Sequence, residues 1–228
     1  MSLADSATTA ANQFVEVDGR RLAYRVIGAG TPLLLCLRFR GTMDDWDPAF
    51  LDALAARDFR VHVFDYSGLG WSSGQPSYDP AALAKDILDL IGALGLGRLV
   101  LGGWSIGGVA AQLVLLQAPQ LLSHLLLIAT TPPGLLVKTG EPLFYELAAR
   151  DNDFEDFVSL FFEPSSASSR EAAQRSAERI ARRSDGRCPP VPFAWAAQFL
   201  GDGPRNPMFP LPAALEALKR TQTPVLHL

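Results

Sequence analysis

The stretch Leu101-Gly-Gly-Trp-Ser-Ile-Gly-Gly-Val-Ala-Ala-Gln112 places four glycines and one serine directly after an apolar run and directly before a segment of helical pattern. Within it, Gly103-Trp-Ser-Ile-Gly107 fits G-x-S-x-G in the strand-then-helix context that gives this pattern chemical meaning. A serine held on a sharp strand-to-helix turn needs a backbone path that neighbouring side chains would obstruct, so Gly103, Gly107 and Gly108 clear the space. The N–H groups and positive dipole end of the helix behind Ser105 would stabilise an oxyanion formed on attack. A glycine-rich turn that merely packs tightly is the bland alternative. A dinucleotide cradle is disfavoured, because the turn follows a later strand and lacks G-x-G-x-x-G spacing.

Working outward, Leu99-Val-Leu101 is the strand that feeds the turn, Ile106 to Ala118 the helix that leaves it, and His124 to Ala129 the next strand. Upstream, Gln13–Val17 and Leu22–Ile27 flank Asp18-Gly19, a strong hairpin signal. Leu33–Leu37 is continuously apolar, as a strand covered on both faces would be. Asp47-Pro48 and Asp79-Pro80 each read as N-cap and first helical residue. Phe50, Leu51, Leu54 and Ala55 then fall on one helical face, and Leu83, Ile87, Leu90, Ile91 and Leu94 mark a buried stripe, which Gly95 ends. Val61–Asp65 is the strand between them. Strands separated by helices of this length predict an α/β fold: a mainly parallel central sheet with an antiparallel N-terminal hairpin and helices on both faces.

From Pro132 to about Leu218 the strand signal disappears, replaced by helix-like segments broken by Pro164, Pro189-Pro190, Pro204, Pro207, Pro210 and Pro212. Thr223–Leu228 then returns to the strand pattern. The expected organisation is a core over 1–131, a helical cap over 132–218 and a return to the core over 219–228.

The bulk numbers fit such a domain. In 228 residues, 48% hydrophobic and 19% charged, there is enough apolar material for one large core. A net charge of −4 spread without single-sign blocks gives no nucleic-acid or membrane-surface footprint, leaving small molecules as the expected partners. Cys36 and Cys188 form neither a disulfide framework nor a metal-ligand spacing, so both read as reduced thiols. Met1–Ser6 lacks the features of a signal peptide and no apolar run is long enough to span a bilayer, so a cytoplasmic location is expected.

The chain resembles the α/β-hydrolase superfamily over nearly its whole length. Beside the serine turn, Asp65-Tyr-Ser-Gly-Leu-Gly-Trp-Ser72 is similar to that superfamily's D-x-x-G-x-G-x-S loop, and Leu37-Arg-Phe-Arg-Gly41, followed by Trp46, occupies the place of its H-G-x-P-G loop. Ala111-Gln112 and Thr130-Thr-Pro-Pro-Gly134 are similar to the branch holding cofactor-free haloperoxidases, esterases and lactonases. The resemblance implies that Ser105 is the nucleophile, that the backbone N–H groups of Ile106 and Phe39 form the oxyanion hole, and that a small apolar ester or lactone is cleaved through an acyl-enzyme with no metal or organic cofactor. Leu37-Arg38 stand where His-Gly is common and Arg40 where Pro is common. Arg38 and Arg40 are candidates for binding an acidic substrate group, against the commoner alternative of a solvated or structurally paired arginine.

The resemblance also implies a triad acid and a histidine after the last two strands. The chain ends at Leu228 inside the first of these, so both positions are missing and the chain as printed is expected to be nearly inert. Continuation of the protein beyond Leu228 is one reading; a non-catalytic binding or regulatory protein is the other. None of the three histidines replaces the base: His62 is expected in the core, His124 at the far end of the sheet, and His227 on a strand that ordinarily supplies only the acid. In the cap, Phe154, Phe157 and Phe161 at helical spacing are candidates for substrate contact, with packing of the cap on itself as the commoner role. Trp104 either shapes the pocket or fills the core. Arg175, Arg179, Arg182 and Arg183 are expected on a solvated helix face.

Overall fold

The computed structural model describes residues 6–132, 140–200 and 212–228. Met1–Asp5, the Pro133-Gly134 end of the Thr130 motif, and Pro204, Pro207 and Pro210 lie outside the described residues. Asp18 and Gly19 both take positive φ, 51° and 73°, as a tight two-residue hairpin turn requires. They join β1 (Gln13–Val17) to β2 (Arg20–Ile27) in antiparallel register. β2 also pairs antiparallel with β4 (Phe59–Phe64). From there the sheet is parallel: β3 (Thr31–Cys36) lies between β4 and β5 (Leu99–Trp104), followed by β6 (Leu122–Ile128) and β7 (Val225–His227). The order is β1-β2-β4-β3-β5-β6-β7. Leu33, Leu34, Leu35 and Cys36 are fully buried, which is why that strand carries no alternating polar residues.

Helices α1 (Pro48–Ala55) and α2 (Pro80–Leu94) start at Asp47 and Asp79, whose carboxylates accept the N–H groups of Ala49 and Ala81 at 2.9 Å. Gly95 ends α2 in the left-handed region at φ 59°. Leu83, Ile87, Leu90 and Ile91 are buried as the stripe predicts and Leu94 is half-buried, whereas of Phe50, Leu51, Leu54 and Ala55 on α1 only Leu51 is buried, and Phe50 faces outward onto Trp46. α3 (Ile106–Gln117) packs against α2, β5 and β6. Between β6 and β7 stand α4 (Pro142–Ala148), α5 (Phe154–Phe161), α6 (Ala167–Ala181), α7 (Phe193–Ala196) and α8 (Pro212–Leu218). No described helix is long and apolar enough to cross a membrane.

Three expectations are corrected. β5 runs on to Trp104, taking in two glycines, because Gly102 and Gly103 stay paired with Leu35 and Cys36 of β3 on one side and with Leu126 and Leu127 of β6 on the other. β6 begins at Leu122, so His124 is its third residue, although its pairing with Val100 still places it at the end of the sheet away from Ser105. The largest correction concerns the basic segment on α6 and just after it. Arg179 is bound to Asp47 by two bonds of 2.8 and 2.5 Å, and Arg183, buried, donates to the carbonyls of Ala7, Thr8 and Ala10. A polar stripe facing a helix-capping carboxylate and a run of main-chain carbonyls has the same sequence pattern as one facing water. Arg175, exposed and paired with Glu171, keeps the expected role.

Candidate active site

Ser105 stands between the C-terminal end of β5 and the first turn of α3, at φ 55° and ψ −122°, a conformation a non-glycine residue rarely holds. Its surroundings pin it there. Its N–H donates to Ile128 O at 2.9 Å, and its carbonyl accepts the Thr130 hydroxyl at 2.6 Å and the Gly108 N–H at 2.9 Å. The glycines have the steric reasons the motif predicts. A Cβ on Gly103 would overlap the Gly107 carbonyl, one on Gly107 would stand 2.5 Å from Leu37 O, and one on Gly108 2.6 Å from the Thr130 methyl. Ile106 is the first residue of α3, where helix N–H groups have no partner within the helix.

Ser105 lines a cavity of about 1030 Å³ together with Trp104, Arg38, Phe39, Phe157 and Phe161. Phe154 is not part of the lining. It stacks behind on Phe157, at 6.4 Å between ring centroids. A continuous aromatic chain runs from the turn into α5: Trp46 to Trp104 at 5.4 Å, Trp104 to Phe161 at 5.5 Å, and Phe161 to Phe157 at 5.4 Å. Phe157 and Phe161 therefore both pack the inserted helices and line the cavity.

Arg38 and Arg40 are each held by the protein. Arg38 donates to Phe39 O at 2.8 Å and to Asp45 at 2.6 Å, and its guanidinium lies over the rings of Trp104 and Phe161. Arg40 donates to Ala148 O at 3.0 Å and Arg150 O at 2.7 Å, just past the end of α4 where helix carbonyls lack partners. Its φ is 57°, and its N–H is taken by the Tyr78 hydroxyl at 2.7 Å.

Behind the cavity lies a polar cluster that sequence reasoning missed. Asp65 is fully buried and accepts the N–H of Met43 at 2.8 Å, the N–H of Trp71 at 2.9 Å and the Cys188 thiol at 3.3 Å. A Cβ on Gly70 would overlap its carboxylate, which accounts for that glycine of the loop. Asp44 accepts from Arg25 at 2.6 Å and from the Cys188 N–H at 2.5 Å. For Asp44 burial raises the pKa, but the Cys188 N–H and the Arg25 charge together bring it below the ordinary value. Asp44 and Cys188 are 144 positions apart in sequence, so local pattern carries no sign of their meeting.

Asp65 yields a pH prediction. Burial pushes its pKa up to about 6, against the N–H donors of Trp71 and Met43, which lower it. A carboxyl that binds its proton more tightly when folded contributes stability that is present below its unfolded value near 3.9 and lost as pH rises through about 6. From pH 7 to pH 4, wild type should therefore gain stability relative to Asp65→Asn, by about 2 kcal/mol. Urea melts of both proteins at the two pH values measure this difference of differences. An unchanged gap would show that Asp65 titrates normally.

The histidines stay away from Ser105. His62 is buried in β4 with Nδ1 3.4 Å from Leu33 O, its pKa lowered by burial and by Arg60. His124 occupies the far end of β6. His227 sits on the exposed strand β7, opposite Leu127. The hydrogen bonds that hold Ser105 are made by its main chain, to Ile128 O, the Thr130 hydroxyl and the Gly108 N–H.

This geometry agrees with comparisons to known proteins. The sequence profile of the alpha/beta hydrolase fold family matches residues 31–223, and the chain belongs to that family. An alpha/beta hydrolase fold protein from Chitinophaga pinensis superposes with a TM-score of 0.77 at 25% identity, covering 98% of this chain and 90% of that one. Among curated relatives, the dihydrolipoyllysine-residue acetyltransferase component of the acetoin cleaving system of Pseudomonas putida is 32% identical over 165 residues, 71% of this chain and 44% of the relative. A putative non-heme chloroperoxidase from Synechocystis is 34% identical over 122 residues, 52% of this chain and 44% of the relative. The chain thus spans less than half the length of these curated relatives.

Proposed function

We propose that the protein is a serine hydrolase that cleaves a small, largely apolar carboxylic ester or lactone. The observation that carries this reading is the strained, hydrogen-bonded turn that presents Ser105 at the wall of an aromatic-lined cavity. In this reading the Ser105 hydroxyl attacks the carbonyl carbon, and the oxyanion is received by the N–H groups of Ile106 and Phe39. Collapse of the tetrahedral intermediate expels the alcohol, and water then cleaves the acyl-enzyme. Trp104, Arg38, Phe157 and Phe161 contact the substrate, with Phe154 supporting them, and the segment from 132 to 218 serves as the cap.

A second reading is a non-catalytic binding protein on the same fold, since the fold by itself does not fix a function. A fluorophosphonate probe separates the two. Stoichiometric labelling that disappears in Ser105→Ala supports the hydrolase, since a serine without a base is a poor nucleophile. A folded protein that takes no label supports the binding protein.

A further inference from the structure

The chain leaving β3 makes a tight turn directly beside the serine turn. Gly41 N–H donates to Arg38 O at 3.0 Å, and Leu37 O packs against Gly107 at the start of α3. Arg40, at the third position of this turn, has φ 57°, whereas Phe39 at the second does not have a positive φ, the pattern of a type II turn. Such turns favour glycine or asparagine at the third position, so an arginine there is strained and stays only where its surroundings over-determine it. The surroundings grip the peptide between Phe39 and Arg40 at both ends. Its carbonyl accepts Arg38 Nη1 at 2.8 Å, and its N–H donates to the Tyr78 hydroxyl at 2.7 Å.

Tyr78 is the fixed end of this grip. It is fully buried, one residue before the Asp79 cap of α2, and its ring packs on Trp195 at 5.4 Å and Phe199 at 5.6 Å. The same ring meets Phe39 at 4.6 Å, so ring and hydroxyl hold two successive residues of the turn. Burial pushes the Tyr78 pKa above the ordinary tyrosine value, so the group acts as a neutral hydroxyl. Tyr78 is not one of the described residues that line the cavity with Ser105. The turn it holds decides where the Phe39 N–H points. In a trans peptide the N–H and the carbonyl point opposite ways. With Arg38 O turned inward to take the Gly41 N–H, the Phe39 N–H is turned out of the loop.

We propose that Tyr78 is a positioning residue for the oxyanion hole: its ring on Phe39 and its hydroxyl on the Arg40 N–H hold the turn that presents the Phe39 N–H to the developing oxyanion. This deepens the hydrolase reading and rests on it. Without the hydroxyl, the Arg40 N–H loses its acceptor, the strained φ relaxes, and the Phe39 donor drifts from its place. Oxyanion donors act through preorganised geometry, so a donor that must first be ordered stabilises the transition state less.

Tyr78→Phe keeps the ring and removes only the acceptor. The test reads phosphonylation of Ser105 by a fluorophosphonate, whose phosphoryl oxygen occupies the oxyanion site, resolved into reagent affinity and maximal rate. Tyr78→Phe should lower the maximal rate at least about tenfold with affinity unchanged, whereas a variant that only loosened the cavity would weaken affinity. Phe39→Pro supplies the internal check, because proline suits the second position of a type II turn yet has no N–H to donate. It should slow labelling by about a hundredfold, and adding Tyr78→Phe to it should cost less than about threefold more, since Tyr78 acts through the group already removed. Amide exchange reads the turn without any chemistry at the serine: the Arg40 N–H should exchange at least about tenfold faster in Tyr78→Phe. Unchanged exchange, equal labelling rates in Tyr78→Phe and wild type, or fully additive losses in the double variant overturns the proposal alone. Wild-type protein that takes no label overturns the hydrolase reading, and the role assigned to Tyr78 falls with it.

Discussion

Gly107→Ala is expected to destabilise the protein by about 3 kcal/mol or more, through overpacking that its surroundings cannot relieve. The new Cβ would stand 2.5 Å from Leu37 O and 2.6 Å from Cys36 O. These are backbone atoms at the end of β3 and just past it, and β3 is held by β4 on one side and β5 on the other, so retreat on one edge breaks pairing on the other. For a chain of this length the corresponding drop in melting temperature is roughly 6–12 °C. The intrinsic helix preference of alanine over glycine works the other way by up to about 1 kcal/mol, which the steric term exceeds. Gly92→Ala is the matched control. That glycine lies within α2 with nothing near the site of its Cβ, so the same substitution should stabilise by up to about 1 kcal/mol. Thermal melts of the two variants beside wild type check both signs. If Gly107→Ala melts with wild type, the tight approach of the turn to β3 is wrong.

The contrast between these glycines shows why much of the fold was readable in the sequence. Hairpin, caps and strands are specified by short-range pattern: Asp18-Gly19 by its positive φ pair, Asp47-Pro48 and Asp79-Pro80 by their caps, and Leu33–Cys36 by burial on both faces. The serine turn was legible for the same reason, since its glycines answer to steric demands within a few residues and one neighbouring strand. What stayed hidden depends on long-range meetings. Arg179 reaches Asp47 and Arg183 reaches the carbonyls of Ala7 and Ala10 across more than 130 and 170 positions respectively. A helical stripe of arginines looks the same whether it faces water or a carboxylate. Phe154 and Phe157 likewise share a pattern, yet only Phe157 reaches the cavity, a matter of how α5 is set against Trp104 and Arg38.

Arg179 and Arg183 tie α6 and the residues after it to Asp47 and Ala10, and Arg25 on β2, at 2% exposure, is more deeply buried than either. Arg25→Met is expected to cost about 3–5 kcal/mol, the range for removing one partner of a buried ion pair. Its Nη1 lies 2.6 Å from Asp44, its Nε 2.7 Å from the Asn12 side chain, and its Nη2 3.2 Å from Gly186 O. Methionine fills similar volume, so the loss comes chiefly from leaving Asp44 charged and buried rather than from a cavity. Arg183 does not replace it, since its Nε is 3.6 Å from Asp44 and its other nitrogens are committed to backbone carbonyls. The double variant Arg25→Met/Asp44→Leu isolates the cause: with the stranded carboxylate gone it should recover part of the loss, although the Cys188 N–H then lacks its acceptor. Urea unfolding of wild type, both single variants and the double completes the cycle. Additive losses would show that Arg25 acts by filling space, whereas a double variant more stable than Arg25→Met places the energy in the buried charge that ties residues 186–188 to the sheet.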